Sequence, residues 1–295
     1  MATWGSKFIS TIKEKGKSMQ GEMSFFEHLE ALRWHIIRAA IAVLVFAIAA
    51  FALYDRIFDS IIMAPVHNNF WTYRVMCNMG HWLHSVNSFF DAGSFCVKDF
   101  NFKLMNTEMA GQFNLQLNSS LMIGLILGIP YLLFELWRFI RPALHEKERK
   151  AASGFVFYAS CLFFLGVLFG YYVVTPLSVR FFATYTVSDT ITNMFSIDSY
   201  MSAVTTLTLV AGIVFQLPIV VYILSSLGIL TPQFMRRTRR YATVIILVLA
   251  AIITPSPDAL TMLIVAMPLF LLYEFSIVVS GFVQRRKLKR EAAEA

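Results

Sequence analysis

The residues able to do recognition chemistry cluster between Trp137 and Lys150, in the string WRFIRPALHEKERK. Five bases (Arg138, Arg141, Lys147, Arg149, Lys150) accompany two acids, Glu146 and Glu148, and one ring, Phe139. Pro142 interrupts the string. A carboxylate takes a guanidinium through two parallel hydrogen bonds, and a nearby ring covers apolar surface. Phe139, with Glu148 nine residues on, is therefore a candidate groove for a cationic, apolar peptide. The competing reading is a charged membrane anchor with one buried aromatic. Bond-making chemistry is not expected, because no His/Asp/Glu cluster has catalytic spacing. Gly16-Lys17-Ser18 resembles the end of a phosphate loop, but Thr11 stands where that motif needs glycine and no strand precedes it.

The elements that must position this string are membrane spans. The chain is 57% hydrophobic and only 15% charged over 295 residues, a balance that excludes an ordinary soluble domain. Six apolar runs are visible: Ile36–Tyr54, Ser119–Trp137, Gly154–Val174, Ala203–Leu227, Ala242–Thr254 and Ala259–Val283. Four are long enough to cross a ~30 Å hydrocarbon core as helices. The fifth, with 13 residues, reaches only about 20 Å at ~1.5 Å per residue. Pro255-Ser256-Pro257 turns it back into the sixth as a short hairpin, with Asp258 capping the sixth helix. The expected fold is an all-α membrane bundle of six transmembrane helices. Its parts are a polar extension (1–22), the membrane domain (23–283) with an outer insertion (67–103), and a basic tail (284–295). No cleavable signal is expected before the first run.

Charge sets the orientation. Twenty of the 25 basic residues fall in the N-terminal segment, the Trp137–Lys150 loop, the link at Arg236–Arg240 and the tail. Basic flanks stay cytoplasmic, so both termini are expected there. The net charge of +7 then reflects topology, and nucleic-acid binding is not expected.

Along the chain, Ser24 with Glu27 makes a capping box for a helix that carries Phe25, Leu29 and Leu32 on one face. His28 is a surface histidine or a proton carrier. The outer insertion holds Cys77 and Cys96, a candidate disulfide on the oxidising side. The nearby His67, His81 and His84 raise a metal site, but their spacing matches no tetrahedral pattern and no metal is assigned. Cys161 is expected as a buried filler in the third span. Gly124, Gly128 and Pro130 mark close approach and a bend in the second span. Glu135 is expected at the headgroups. Gln216, mid-span before Pro218, needs a partner: it is either glue between helices or the floor of a cavity.

Together these stretches resemble the TatC family, the multispanning subunit of the twin-arginine protein translocase. The resembling residues are Phe26–Arg33, Ala64-Pro65, Pro130 with Trp137–Leu144 and Glu148-Arg149, Pro176-Leu177, Phe215–Pro218, Thr254–Asp258, Pro268-Leu269 and Tyr273-Glu274. The resemblance implies a cup-shaped receptor in the cytoplasmic membrane for signal peptides bearing paired arginines. It implies TatA- and TatB-like single-span partners, a homo-oligomer within a larger complex, export of folded proteins on the proton-motive force, and no cofactor. Carried over by position, Phe139 and Glu148 contact the signal, joined by Leu29, Glu30 and Arg33. Pro65, Pro142, Gln216, Asp258 and Glu274 carry over as structural, partner or cavity positions. Three residues depart from the family pattern: Ala31 and Gln216 stand where glutamates are found, and Met262 where glutamine is common. Glu30 points about 100° away from position 31 on a helix. The rival reading is a secondary transporter of a small solute, which needs a midplane site at broken helices and, usually, internal repeats. No self-similar halves are seen.

Overall fold

The computed structural model describes residues 25–86, 96, 103–140, 154–188, 190, 193–254 and 259–294. Among the described residues, five helical segments are long and apolar enough to cross a membrane: Leu32–Ala52, Gly111–Ile140, Phe155–Thr184, Ile197–Ser226 and Thr261–Lys289. Their outward faces are apolar, as a lipid solvent requires. The helices are α1 (Phe25–Ala52), α2 (Trp71–Val86), α3 (Gly111–Ile140), α4 (Phe155–Phe169), α5 (Thr175–Thr184), α6 (Ile197–Val214), α7 (Leu217–Ser226), α8 (Pro232–Arg237), α9 (Arg239–Ile253) and α10 (Ala259–Glu294). The short fifth run is α9, whose 15 residues give only about 22 Å of helix. The basic segment after residue 283 continues α10 as far as Glu294.

α1 and α3 form the tightest seam. Contacts pair Ala47 with Gly124 and Val43 with Gly128, so the residue numbers rise on one helix as they fall on the other and the two run antiparallel. A Cβ on Gly124 would sit 2.5 Å from the backbone nitrogen of Ala47. Only a missing side chain allows backbones that close. Pro130 lies inside α3 without ending it. α4 and α6 meet in the same way: a Cβ on Gly166 would lie 2.8 Å from the Ala211 carbonyl oxygen.

Two spans are longer and less regular than their hydropathy predicts. The third does not stop at Thr175-Pro176. A π-helical turn, Gly170–Val174, leads into α5, which starts at Thr175 and runs to Thr184. Proline lacks an N–H for the carbonyl four residues back, here that of Tyr172. The Thr72 hydroxyl of α2 donates to that oxygen. The fourth span begins at Ile197, where the Ser196 side chain accepts from the Ser199 amide, and it breaks at Phe215-Gln216 before Pro218 restarts it as α7.

The bundle is not wholly helical. Strands β1 (Lys103–Met105) and β2 (Met194–Ser196) pair in parallel, joining the two segments between spans. Hydropathy carries no signal for three-residue strands, and the fold remains an all-α membrane bundle with this one short pairing added. The insertion contains α2, which is fastened to the bundle. The Tyr73 hydroxyl lies 2.9 Å from the Pro65 carbonyl oxygen and 3.2 Å from that of Pro176. Cys77 and Cys96 are joined by a disulfide. Cys161, expected as a buried filler, is exposed on α4. α4 is apolar all round, so hydropathy does not tell which side meets lipid.

Candidate functional site

The seam between α1 and α3 carries a polar knot at its Phe139 end. Glu135, expected at the headgroups, is instead buried, with 1% of its side chain exposed. His35 Nδ1 of α1 hydrogen-bonds its Oε2. Arg138 Nη1 stands 3.4 Å from Oε1, and Arg38 Nη1 stands 4.0 Å from Oε2. Each arginine lies three residues beyond its helix's contribution to the pair, Arg38 after His35 and Arg138 after Glu135. That spacing returns a side chain to the same helix face. A lone carboxylate in so dry a place would be very costly, and the three nitrogen partners offset that cost. The correction has a plain cause: a single Glu near a span end looks like a headgroup contact until its neighbour, 100 residues away, is known.

Phe139 sits one turn beyond Glu135, on the same side of α3 and half-buried. The His35 ring meets it edge-on, with centroids 6.2 Å apart and planes at 68°. One imidazole therefore touches both the buried carboxylate and the aromatic. Glu30 and Arg33 are exposed on the first turns of α1, toward the same end of the seam. Leu29 belongs to α1, but its side chain lies outside the described residues. Pro142, Glu148 and the rest of their loop also lie outside them, as do Asp258 and the Ser24 cap. The chemistry at this end is legible nonetheless. Glu135 already has its partners within the protein, His35, Arg138 and Arg38. Glu30, Arg33, Arg38 and Arg138 are exposed at this end, and Phe139 is half-buried. Sequence reasoning missed His35 and Glu135 as a pair. The available signal was two ionisable residues at the edges of apolar segments, which in a membrane bundle face inward toward each other.

A family model described as Sec-independent protein translocase protein TatC matches residues 27–268. The chain belongs to the TatC family. It is 35% identical over 271 residues to the TatC protein of Blattabacterium sp. subsp. Periplaneta americana, covering 92% of this chain and 100% of that one. It is 30% identical over 269 residues to TatC of Carboxydothermus hydrogenoformans, covering 91% and 97%. A crystal structure of a twin arginine translocase receptor, TatC, superposes with a TM-score of 0.62 at 30% identity, over 88% of this chain and 100% of that chain.

Pro65, Gln216 and Glu274 are each described in this chain. Pro65 is buried in the 3₁₀ turn Ala64–Val66. Gln216 donates from Nε2 to the Ala159 carbonyl oxygen at 3.1 Å, tying the break in the fourth span to α4. A cavity of about 880 Å³ does lie between α5, α6 and the end of α9, but it is lined by Thr175, Ser178, Asp198, Thr206 and their neighbours, and Gln216 is not in its wall. Glu274 accepts from Arg239 Nη2 at 2.6 Å, bracing α10 against the start of α9. The adjacent Tyr273 donates to the Met235 carbonyl oxygen at 2.9 Å. Met262 packs on the apolar cluster around Val265 and Ile253.

Proposed function

We propose that this chain is the receptor subunit of a twin-arginine translocase. It binds signal peptides carrying paired arginines and, with TatA- and TatB-like single-span partners, moves folded proteins across the cytoplasmic membrane on the proton-motive force. Both termini lie in the cytoplasm, six helices including the short α9 form the cup, and several copies work within one complex. The observation that carries this reading is the Phe139 end of the α1–α3 seam. There a ring is presented on a rigid helix end beside a carboxylate that is already satisfied. Glu148, in the sequence that follows from Arg141, is the carboxylate we assign to the guanidinium. A guanidinium binds a carboxylate through two parallel N–H groups, and an ammonium has no such fork. Paired arginines are thereby preferred over paired lysines. The crystallised receptor of the same family supports the reading. Leu29, Glu30 and Arg33 are assigned to the same signal-binding site, Glu30 and Arg33 being exposed on the first turns of α1. No chemical step is needed, because the work is recognition and passage.

Glu148→Gln tests the assignment with little change in shape. Membranes carrying the variant are expected to lose at least about tenfold in photocrosslinking to a twin-arginine signal peptide, the worth of one charge-assisted pair at about 1.5–3 kcal/mol. Unchanged crosslinking would remove Glu148 from the site.

A further inference from the structure

The insertion helix α2 has a face that nothing within the described residues covers. At about 100° per residue, its positions divide into three arcs. Thr72, Tyr73, Met76 and Gly80 lie on the buried arc. Arg74, Asn78 and His81 lie on an exposed polar arc, and α2 contains no acidic residue. Trp71, Val75, Met79 and Trp82 fall within an arc of roughly 80° and are 55%, 39%, 45% and 65% exposed. A continuous row of large apolar side chains over three turns marks an interaction surface.

Two observations identify what covers it. The first is continuity with the lipid face of the third span. Trp71 meets Tyr172 edge-on at 6.1 Å. It also shares an apolar groove of about 720 Å³ with Leu165, Leu168, Phe169, Phe215 and Pro268. Leu165 and Leu168 are 56% and 51% exposed on a helix that crosses the membrane, so that groove opens into hydrocarbon. The second is chemistry. Tryptophan favours the boundary between acyl chains and headgroups, and arginine beside it suits phosphate. The stripe has a tryptophan at each end and Arg74 on its flank.

We propose that α2 lies along the leaflet at the end of the bundle opposite Phe139, as an interfacial helix on a phospholipid surface. Trp71, Val75, Met79 and Trp82 sink to the acyl–headgroup boundary, and Arg74 reaches the phosphates. The Thr72 and Tyr73 hydrogen bonds transmit that anchoring to the third span at Tyr172 and Pro176. The inference is independent of signal recognition at the other end of the molecule.

The test uses the full chain in vesicles of phosphatidylcholine and phosphatidylglycerol. Two variants keep either Trp71 or Trp82 as the single tryptophan, the others being replaced by phenylalanine. Lipids brominated near the headgroup are expected to quench most of the emission of each, while aqueous iodide quenches little. Iodide quenching of Trp82 without bromolipid quenching would overturn the proposal. Protection from both quenchers would also overturn it, because protein would then cover the stripe. The unmodified chain gives a second reading. A photoreactive phospholipid with its diazirine near the headgroup is expected to label the segment 71–82, and absence of label there contradicts the proposal.

Discussion

His35→Ala strands a buried carboxylate and is expected to destabilise the protein by about 3 kcal/mol, the lower end for breaking a buried pair. Glu135 is 1% exposed, and His35 is its direct partner on the neighbouring helix. Arg138 and Arg38 remain at 3.4 and 4.0 Å, which keeps the loss from being larger. Their own side chains are 47% and 46% exposed, so they hold the charge from the edge of the site only. Replacing both partners removes the stranded charge. The double variant His35→Leu with Glu135→Leu is therefore expected to recover most of the loss, since apolar pairs of similar volume replace buried ion pairs at little cost. Unfolding of the purified protein in detergent by a graded denaturant measures both. A single variant within about 0.5 kcal/mol of the parent would show that the arginines alone hold Glu135.

Gly124→Val is expected to prevent α1 and α3 from closing, with loss of most folded protein. A Cβ there lies 2.5 Å from the nitrogen, 2.6 Å from the Cα and 2.6 Å from the Cβ of Ala47. Two of those atoms are backbone, which cannot rotate out of the way. Gly124→Ala alone is expected to cost about 1–3 kcal/mol by overpacking. Gly281 is the matched control, because nothing lies within 4 Å of a Cβ built on it in α10. Gly281→Ala is expected to be neutral or stabilising by up to about 1 kcal/mol through helix propensity. Thermal unfolding of the set ranks the three. Equal behaviour of the alanine variants would contradict the seam.

Much of this architecture was legible in the residues because a bilayer punishes exposed backbone so heavily. Each apolar run predicted from hydropathy has its helix, and the glycines at 124 and 128 fall where α1 comes closest. What hydropathy missed depends on pairings across long sequence distances. The third span reads as ending at Pro176, yet the Thr72 hydroxyl, 100 residues away, takes up the freed Tyr172 carbonyl and the helix continues. Glu135 reads as a headgroup contact, yet His35 lies across the seam. The side that Cys161 faces was invisible, because its helix is apolar all round. At the Phe139 end of the seam, residue types made Phe139 a candidate, but its ring contact with His35 comes from a residue that no local pattern singles out. The segment 67–103 read only as an insertion rich in His, Asn, Phe and Gly, and the helical row of Trp71, Val75, Met79 and Trp82 was not drawn from it.

The central claim is that the Phe139 end of the α1–α3 seam, with the loop after it, reads a pair of guanidinium groups. A photoreactive phenylalanine analogue placed at residue 139, in membranes that also hold the single-span partners, tests it most directly. A signal peptide with paired arginines is expected to crosslink there, and the same peptide with paired lysines to crosslink at least about tenfold less. Equal crosslinking of the two peptides, or none from either, would contradict the account.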